Sequence, residues 1–284
     1  MRFDNSRESD NVEDRRGSGG GGLPVGGRGI GIGTIVLALV AMYFGVDPSV
    51  VLNQAAQAPA PVSRPAGPPA NDAESKFVRH VLAETEDTWK QLFQAGGRQY
   101  VEPTLVLFSG ATRTACGVGQ AAMGPFYCPA DQKVYIDLSF YQELKSRFHA
   151  PGDFAQAYVI AHEVGHHVQN LLGISAKVQA ARERAGEREA NALSVRLELQ
   201  ADCLAGVWAK NADQARGILE AGDVDEALRA ATAIGDDTLQ KQAQGYAVPD
   251  SFTHGSAEQR VRWFRRGMES GQLTACNTFQ AKGL

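Results

Sequence analysis

The chain has 284 residues, of which 43% are hydrophobic and 21% charged, with a formal net charge of −4. That length holds one packed domain with appendages, or two small domains, and the composition is that of a globular protein. No basic stripe is present, which argues against a nucleic-acid partner.

Residues 1–29 are polar and then glycine-rich, so they are expected to be a disordered segment with no core to join. Residues 30–46 carry no charge. They are expected to form one transmembrane helix, at the short end of the roughly 20 residues a bilayer needs. Arg15, Arg16 and Arg28 precede this stretch, and the next positive residue is Arg64. The positive-inside rule then leaves the N-terminus in the cytoplasm and places the rest outside the inner membrane, in the periplasm or its equivalent. Residues 47–72 read as a Pro/Ala-rich spacer. A catalytic domain is expected over 73–284.

Within that domain the apolar positions Phe77, Val81, Leu82, Trp89, Leu92 and Phe93 predict a helix over 74–94. Short strands are expected at 105–108 and 134–138. From Phe154 onward the pattern is mainly helical. The expected fold class is α+β: a helix-rich domain with a small sheet.

The segment Ala161-His162-Glu163-Val164-Gly165-His166-His167 contains an H-E-x-x-H pattern. Ala157, Ala161, Val164, Val168 and Leu171 place it on an amphipathic helix, with Asp153 as the expected N-cap and Gly173 just past the end. His162 and His166 are one turn apart, so both rings reach one ion. Glu163 projects beside them, where it can take a proton from metal-bound water. His167 diverges around the helix and is read as structural, or as a partner of the site.

Two histidines leave a zinc site one protein ligand short. A metzincin needs Gly and His where this chain has Gln169 and Leu172, so that class is excluded. Downstream, Leu193, Leu197, Leu204 and Trp208 mark a second amphipathic helix, on which Glu198 and Asp202 share a face. Two acids beside an apolar stripe are costly to bury unless something compensates them. Glu198 is therefore the expected third ligand, and Asp202 the acceptor for a ligand histidine's free ring N–H. Glu183, Glu187 and Glu189 are the alternatives, in a charged and solvated stretch. No Gly-x-Ser-x-Gly elbow and no Walker motif is present.

Glu-x-x-Ala-Asp downstream of His-Glu-x-x-His resembles the gluzincin type of metallopeptidase. More closely, the chain resembles the predicted neutral zinc metallopeptidase family of single-span bacterial proteins. The likeness includes Arg7-Glu8-Ser9-Asp10-Asn11-Val12-Glu13-Asp14-Arg15-Arg16, Cys116-Gly117-Val118-Gly119, Gly124-Pro125-Phe126-Tyr127-Cys128-Pro129, both metal motifs and Thr253-His254-Gly255-Ser256. It implies a Zn2+ cofactor and a peptide or protein substrate. In gluzincins a later residue donates a hydrogen bond to the oxyanion, a role that falls here to His254 as a catalytic residue; a plain turn histidine is the alternative. His254 precedes a helix expected over 256–270, with Ser256 and Gln259 as a capping box. Arg260 could pair with an acid near the site, though the sequence does not show that pairing. Phe140, Tyr141, Trp263 and Phe264 read as core.

The expected function is endopeptidase-type hydrolysis by metal-activated water with Glu163 as general base. The competing readings are a non-catalytic, zinc-stabilised envelope binding module and a zinc amidase acting on cell-wall peptides. An edge strand at 134–138 is expected to pair with an extended substrate. The four cysteines, Cys116, Cys128, Cys203 and Cys276, allow three pairings. Separation along the chain favours Cys116–Cys128 and Cys203–Cys276, with four reduced thiols as the alternative if the domain is not in an oxidising compartment.

Overall fold

The computed structural model describes residues 1–4, 6–16 and 72–284. The spacer and the span expected at 30–46 lie outside these residues, apart from Asp72. Among the described residues no helix is long and apolar enough to cross a membrane.

The fold is helix-rich with a small sheet. Strand β1 (Val12–Asp14) comes first. Helix α1 (Ala73–Ala95) starts where the Asp72 side chain accepts the Ser75 N–H at 2.7 Å, a conventional N-cap. Strand β2 (Thr104–Phe108), the hairpin β3 (Ala111–Thr114) and β4 (Gly117–Gln120), β5 (Phe126–Cys128) and β6 (Lys133–Asp137) follow. The helical part then runs α2 (Ser139–Ser146), α3 (Asp153–Leu171), α4 (Ile174–Arg182), α5 (Glu187–Arg216), α6 (Asp223–Ala233), α7 (Asp236–Gln244) and α8 (Ala257–Ser270).

The main sheet has the order β1-β2-β6-β5, with β1, β2 and β6 parallel and β5 antiparallel to β6. Side chains alternate across it as the pleat demands. Leu105, Leu107, Val134 and Ile136 face the helices and join Trp89, Phe154, Tyr158, Trp208 and Phe264 in the main core. Val106, Phe108, Tyr135 and Cys128 form a small cluster on the other face. The 134–138 segment is thus central, flanked by β2 and β6's other neighbour β5. The expectation that it is an edge is corrected: the edge strands are β1 and β5, and β5 covers β6 because the 116–128 loop folds back onto it.

The N-terminus is a second correction. Residues 1–29 are expected to be disordered, yet residues 1–14 pack into one compact unit with 71–284. β1 adds to β2 with Val12 opposite Leu105 and Asp14 opposite Leu107. Arg7 pairs with Glu86 at 2.6 Å and with Asp87 at 2.8 Å. Ser9 Oγ and Asn11 Nδ2 donate to Glu86 at 2.6 and 2.8 Å, and Asn11 Nδ2 also donates to Glu102 at 2.9 Å. Ser6 donates to Glu84, which also takes Arg216. Glu84 and Glu86 are fully buried on α1. A buried carboxylate must be paired or hydrogen-bonded, and here residues 6–11 supply the partners. Composition misses this because the order comes from contacts made across the chain, and not from apolar content.

Two glycines let the helices that carry the site approach closely. A Cβ on Gly165 of α3 would meet the Ala201 backbone of α5 at 3.1 Å. One on Gly267 of α8 would lie 1.9 Å from Cys203 O of α5, so only glycine fits. Both disulfides have the expected pairing: Cys116–Cys128 ties the β3–β4 hairpin to β5, and Cys203–Cys276 ties the tail to α5.

Candidate metal centre

α3 runs one residue further back than its expected N-cap: Gly152 is the cap and Asp153 the first helical residue. Gly173 sits in the left-handed region just past the end, as expected. His162 and His166 project from α3 toward α5. Their Nε2 atoms lie 3.1 and 3.4 Å from the same Glu198 Oε2. The donor atoms of these three residues lie within 4.8 Å of one another. Tetrahedral zinc with bonds of about 2.0–2.1 Å places its donors about 3.4 Å apart. Spacing and donor chemistry both fit that ion.

The outward ring nitrogens show how each imidazole is aimed. His162 Nδ1 donates to Asp202 Oδ1 at 2.8 Å, leaving Nε2 for the cluster. Asp202 is fully buried and also accepts Tyr158 Oη at 2.5 Å, Arg260 Nε at 2.9 Å and Arg260 Nη2 at 3.0 Å. Burial works against its charge, but Arg260 and His162 hold its pKa down at about 2. Burial likewise opposes charge on Glu198, yet His166 and His162 hold it well below the usual carboxylate range. Against their burial, Asp202 and Glu198 raise His162 to about 10, and Glu198 raises His166. His166 Nδ1 donates to Gln169 Oε1 at 2.9 Å.

Glu163 is buried and lines the same cleft, and burial lifts its pKa above the ordinary value. A raised carboxylate is a better match to proton transfer near neutral pH. The cleft measures about 890 Å³, a size usual for ligand sites. Met123, Phe126 and Tyr127 form one wall, Glu198, His254 and Arg260 another, and Phe140 and Phe148 also face it. Phe140 lines the cleft while packing against the core; Tyr141, Trp263 and Phe264 are buried as expected.

His167 is structural. Its Nε2 donates to Val101 O at 2.6 Å, so its Nδ1 accepts from Tyr127 Oη at 2.9 Å. Burial keeps it neutral. The Tyr127 hydroxyl proton is spent on that bond. Tyr158 spends its own on Asp202, and the Arg260 donors go to Asp202, Tyr158 Oη and Ile234 O. His254 differs. Its Nδ1 lies 3.2 Å from Asp236 Oδ1, while Asp236 Oδ2 accepts the backbone N–H groups of Thr253, His254 and Gly255 at 2.7, 2.7 and 3.0 Å. That leaves the His254 Nε2 unengaged by Asp236. The Asp236 hydrogen bond raises the His254 pKa above its ordinary value. Sequence reasoning missed Asp236, Gln169, Tyr158 and Tyr127. Of these, Tyr127 stood only within the run that carries the resemblance, and Gln169 only as a departure from the metzincin pattern.

Two histidines and a glutamate on two packed helices, with a buried acid beside them in an open cleft, are a donor set that suits a zinc ion. The chain belongs to the family described as "Putative neutral zinc metallopeptidase", which it matches over residues 1–279. The cofactor is Zn2+. It is 54% identical over 286 residues to the uncharacterized protein YpfJ of Escherichia coli K12, covering 98% of this chain and 99% of that one. It is 40% identical over 265 residues to the uncharacterized protein Mb2605 of Mycobacterium bovis, with 86% of each chain covered. No solved structure matches the chain.

Proposed function

We propose that the protein is a zinc endopeptidase in which His162, His166 and Glu198 hold the metal and Glu163 is the general base. The observation that carries this is the convergence of both Nε2 atoms on one Glu198 oxygen, with Glu163 in the same cleft. When bound, zinc supplies Lewis acidity that polarises a carbonyl and brings the pKa of a water down to about 7. Glu163 takes the proton of the attacking water and delivers it to the leaving amine. His254, protonated and held by Asp236, donates Nε2–H to the developing oxyanion. The outer edge of β5 beside the cleft pairs with the main chain of an extended substrate. The two disulfides support an oxidising, extracytoplasmic compartment for the domain.

The test is Glu163→Gln in the full chain, with zinc content and peptide-library cleavage measured side by side. Zinc is expected to stay stoichiometric while hydrolysis falls by about 10²–10⁴-fold. Full activity in that variant removes Glu163 from the mechanism. Zinc without cleavage in the parent favours a binding module, and cleavage of cell-wall peptides alone favours an amidase.

A further inference from the structure

The two ligand histidines are aimed by different devices. His162 leans on a carboxylate inside a buried ionic cluster, whereas His166 leans on a neutral amide, and that amide begins a chain. Gln169 Nε2 donates to Leu197 O at 2.7 Å and to Gln200 Oε1 at 3.2 Å. Gln200 Nε2 donates in turn to Cys276 O at 2.9 Å. Backbone carbonyls only accept, so Leu197 O and Cys276 O fix which end of each amide is nitrogen. The direction of every bond follows: Gln169 Oε1 faces His166 and can only accept, so His166 must carry a proton on Nδ1, which leaves Nε2 as the atom for the metal. Gln169 is completely buried and Gln200 nearly so, so each broken link strands a polar group away from water. The far end is also held. Cys276 is bonded to Cys203, and Thr278 Oγ1 donates to Arg196 O at 2.7 Å, which fixes the tail against α5.

We propose, resting on the zinc reading above, that Gln169 and Gln200 are positioning residues for His166, anchored on the disulfide-held carbonyl of Cys276. Opening the Cys203–Cys276 bond therefore loosens the metal. The tail of the chain, which contributes no ligand, helps determine how tightly the ion is kept.

The experiment measures zinc dissociation constants by chelator competition in the full chain, together with the thermal midpoint of each metal-free protein. Gln169→Met is expected to weaken zinc by about 10–100-fold, the usual cost of losing an outer partner of a ligand histidine. Gln200→Met and the pair Cys203→Ala with Cys276→Ala are expected to weaken it in the same direction by less. Gln169→Met combined with Gln200→Met should cost no more than Gln169→Met alone, because both act through one bond to His166. A Gln169→Met protein whose midpoint falls while its zinc affinity stays within about twofold of the parent overturns the proposal. If that variant does not fold, unchanged affinity in both Gln200→Met and the cysteine pair overturns it instead. A parent that binds no zinc overturns the metallopeptidase reading as well, and so separates the two failures.

Discussion

Replacing His254 by alanine isolates the proposed oxyanion donor from the proposed metal ligands. Because Nδ1–H points at the Asp236 carboxylate, the neutral ring offers only a lone pair at Nε2, and the ring donates into the cleft only as imidazolium. The hydrogen bond to Asp236 raises the His254 pKa above 6.5, which keeps that form populated near neutrality. Loss of one preorganised donor of this kind costs about 10²–10³-fold in kcat, roughly 2.7–4 kcal/mol of transition-state stabilisation. The His254 side chain is 54% exposed and is not one of the three clustered donors. Zinc stoichiometry should therefore be unchanged, and stability should stay within about 0.5 kcal/mol. The pH dependence has a definite sign. The parent needs His254 protonated, so kcat should fall as pH rises through the raised pKa, and that descending limb should be absent in His254→Ala. Steady-state kinetics on a cleaved peptide across a pH series measures both quantities. A kcat within about threefold of the parent, or a descending limb that survives at the same pH, would refute the role and return His254 to a turn residue.

Two further substitutions test the site and the fold. Glu198→Ala should weaken zinc by more than the roughly 10–100-fold that loss of an outer partner costs, whereas Glu187→Ala, on the exposed first turn of α5, should leave it unchanged; chelator competition that gave the reverse order would move the third ligand. Asn11→Ala removes two hydrogen bonds to carboxylates, each worth about 1.5–3 kcal/mol when the partner is charged. Glu102 is partly exposed and keeps Lys90, so a total of about 2–3 kcal/mol is expected. For a domain of this size that lowers the thermal midpoint by about 5–10 °C, and an unchanged midpoint by calorimetry would show that residues 1–14 do not hold the domain together.

The sequence reveals the candidate metal ligands because helical geometry converts spacing into proximity. His162 and His166 share a face through i, i+4, and so do Glu198 and Asp202. The sequence does not show a partner for Arg260; one turn into α8, it meets Asp202. The ends of α1 and α8 were legible from the periodicity and from the Ser256–Gln259 capping box, which forms as read. What was hidden depends on contacts between segments with no shared period. Asp236 meets His254 only because the 245–253 loop returns to the start of α7. Gln169 reads only as a departure from the metzincin pattern until Gln200 and the tail are in place. β1 is three residues long, two of them acidic, and is a strand only because β2 offers it a ladder. The 134–138 segment was rightly read as a strand, but its central rank follows from a disulfide-closed loop that supplies β5 beyond it.

The pairing of β1 with β2 also bears on compartments. Hydrogen-bonded neighbours share one side of any membrane, so while β1 is docked Asp14 and Leu107 lie in one compartment. The arrangement read from Arg15, Arg16 and Arg28 crosses once, and it parts the two strands. A chain inserted that way leaves the backbone groups of Leu105 to Leu107 as an open sheet edge, and Glu84 and Glu86 without the side chains of residues 6–11. Insertion and completion of the sheet are thus alternatives for the same molecule, and the route by which the N-terminus is delivered decides whether the catalytic unit is finished with its own first strand.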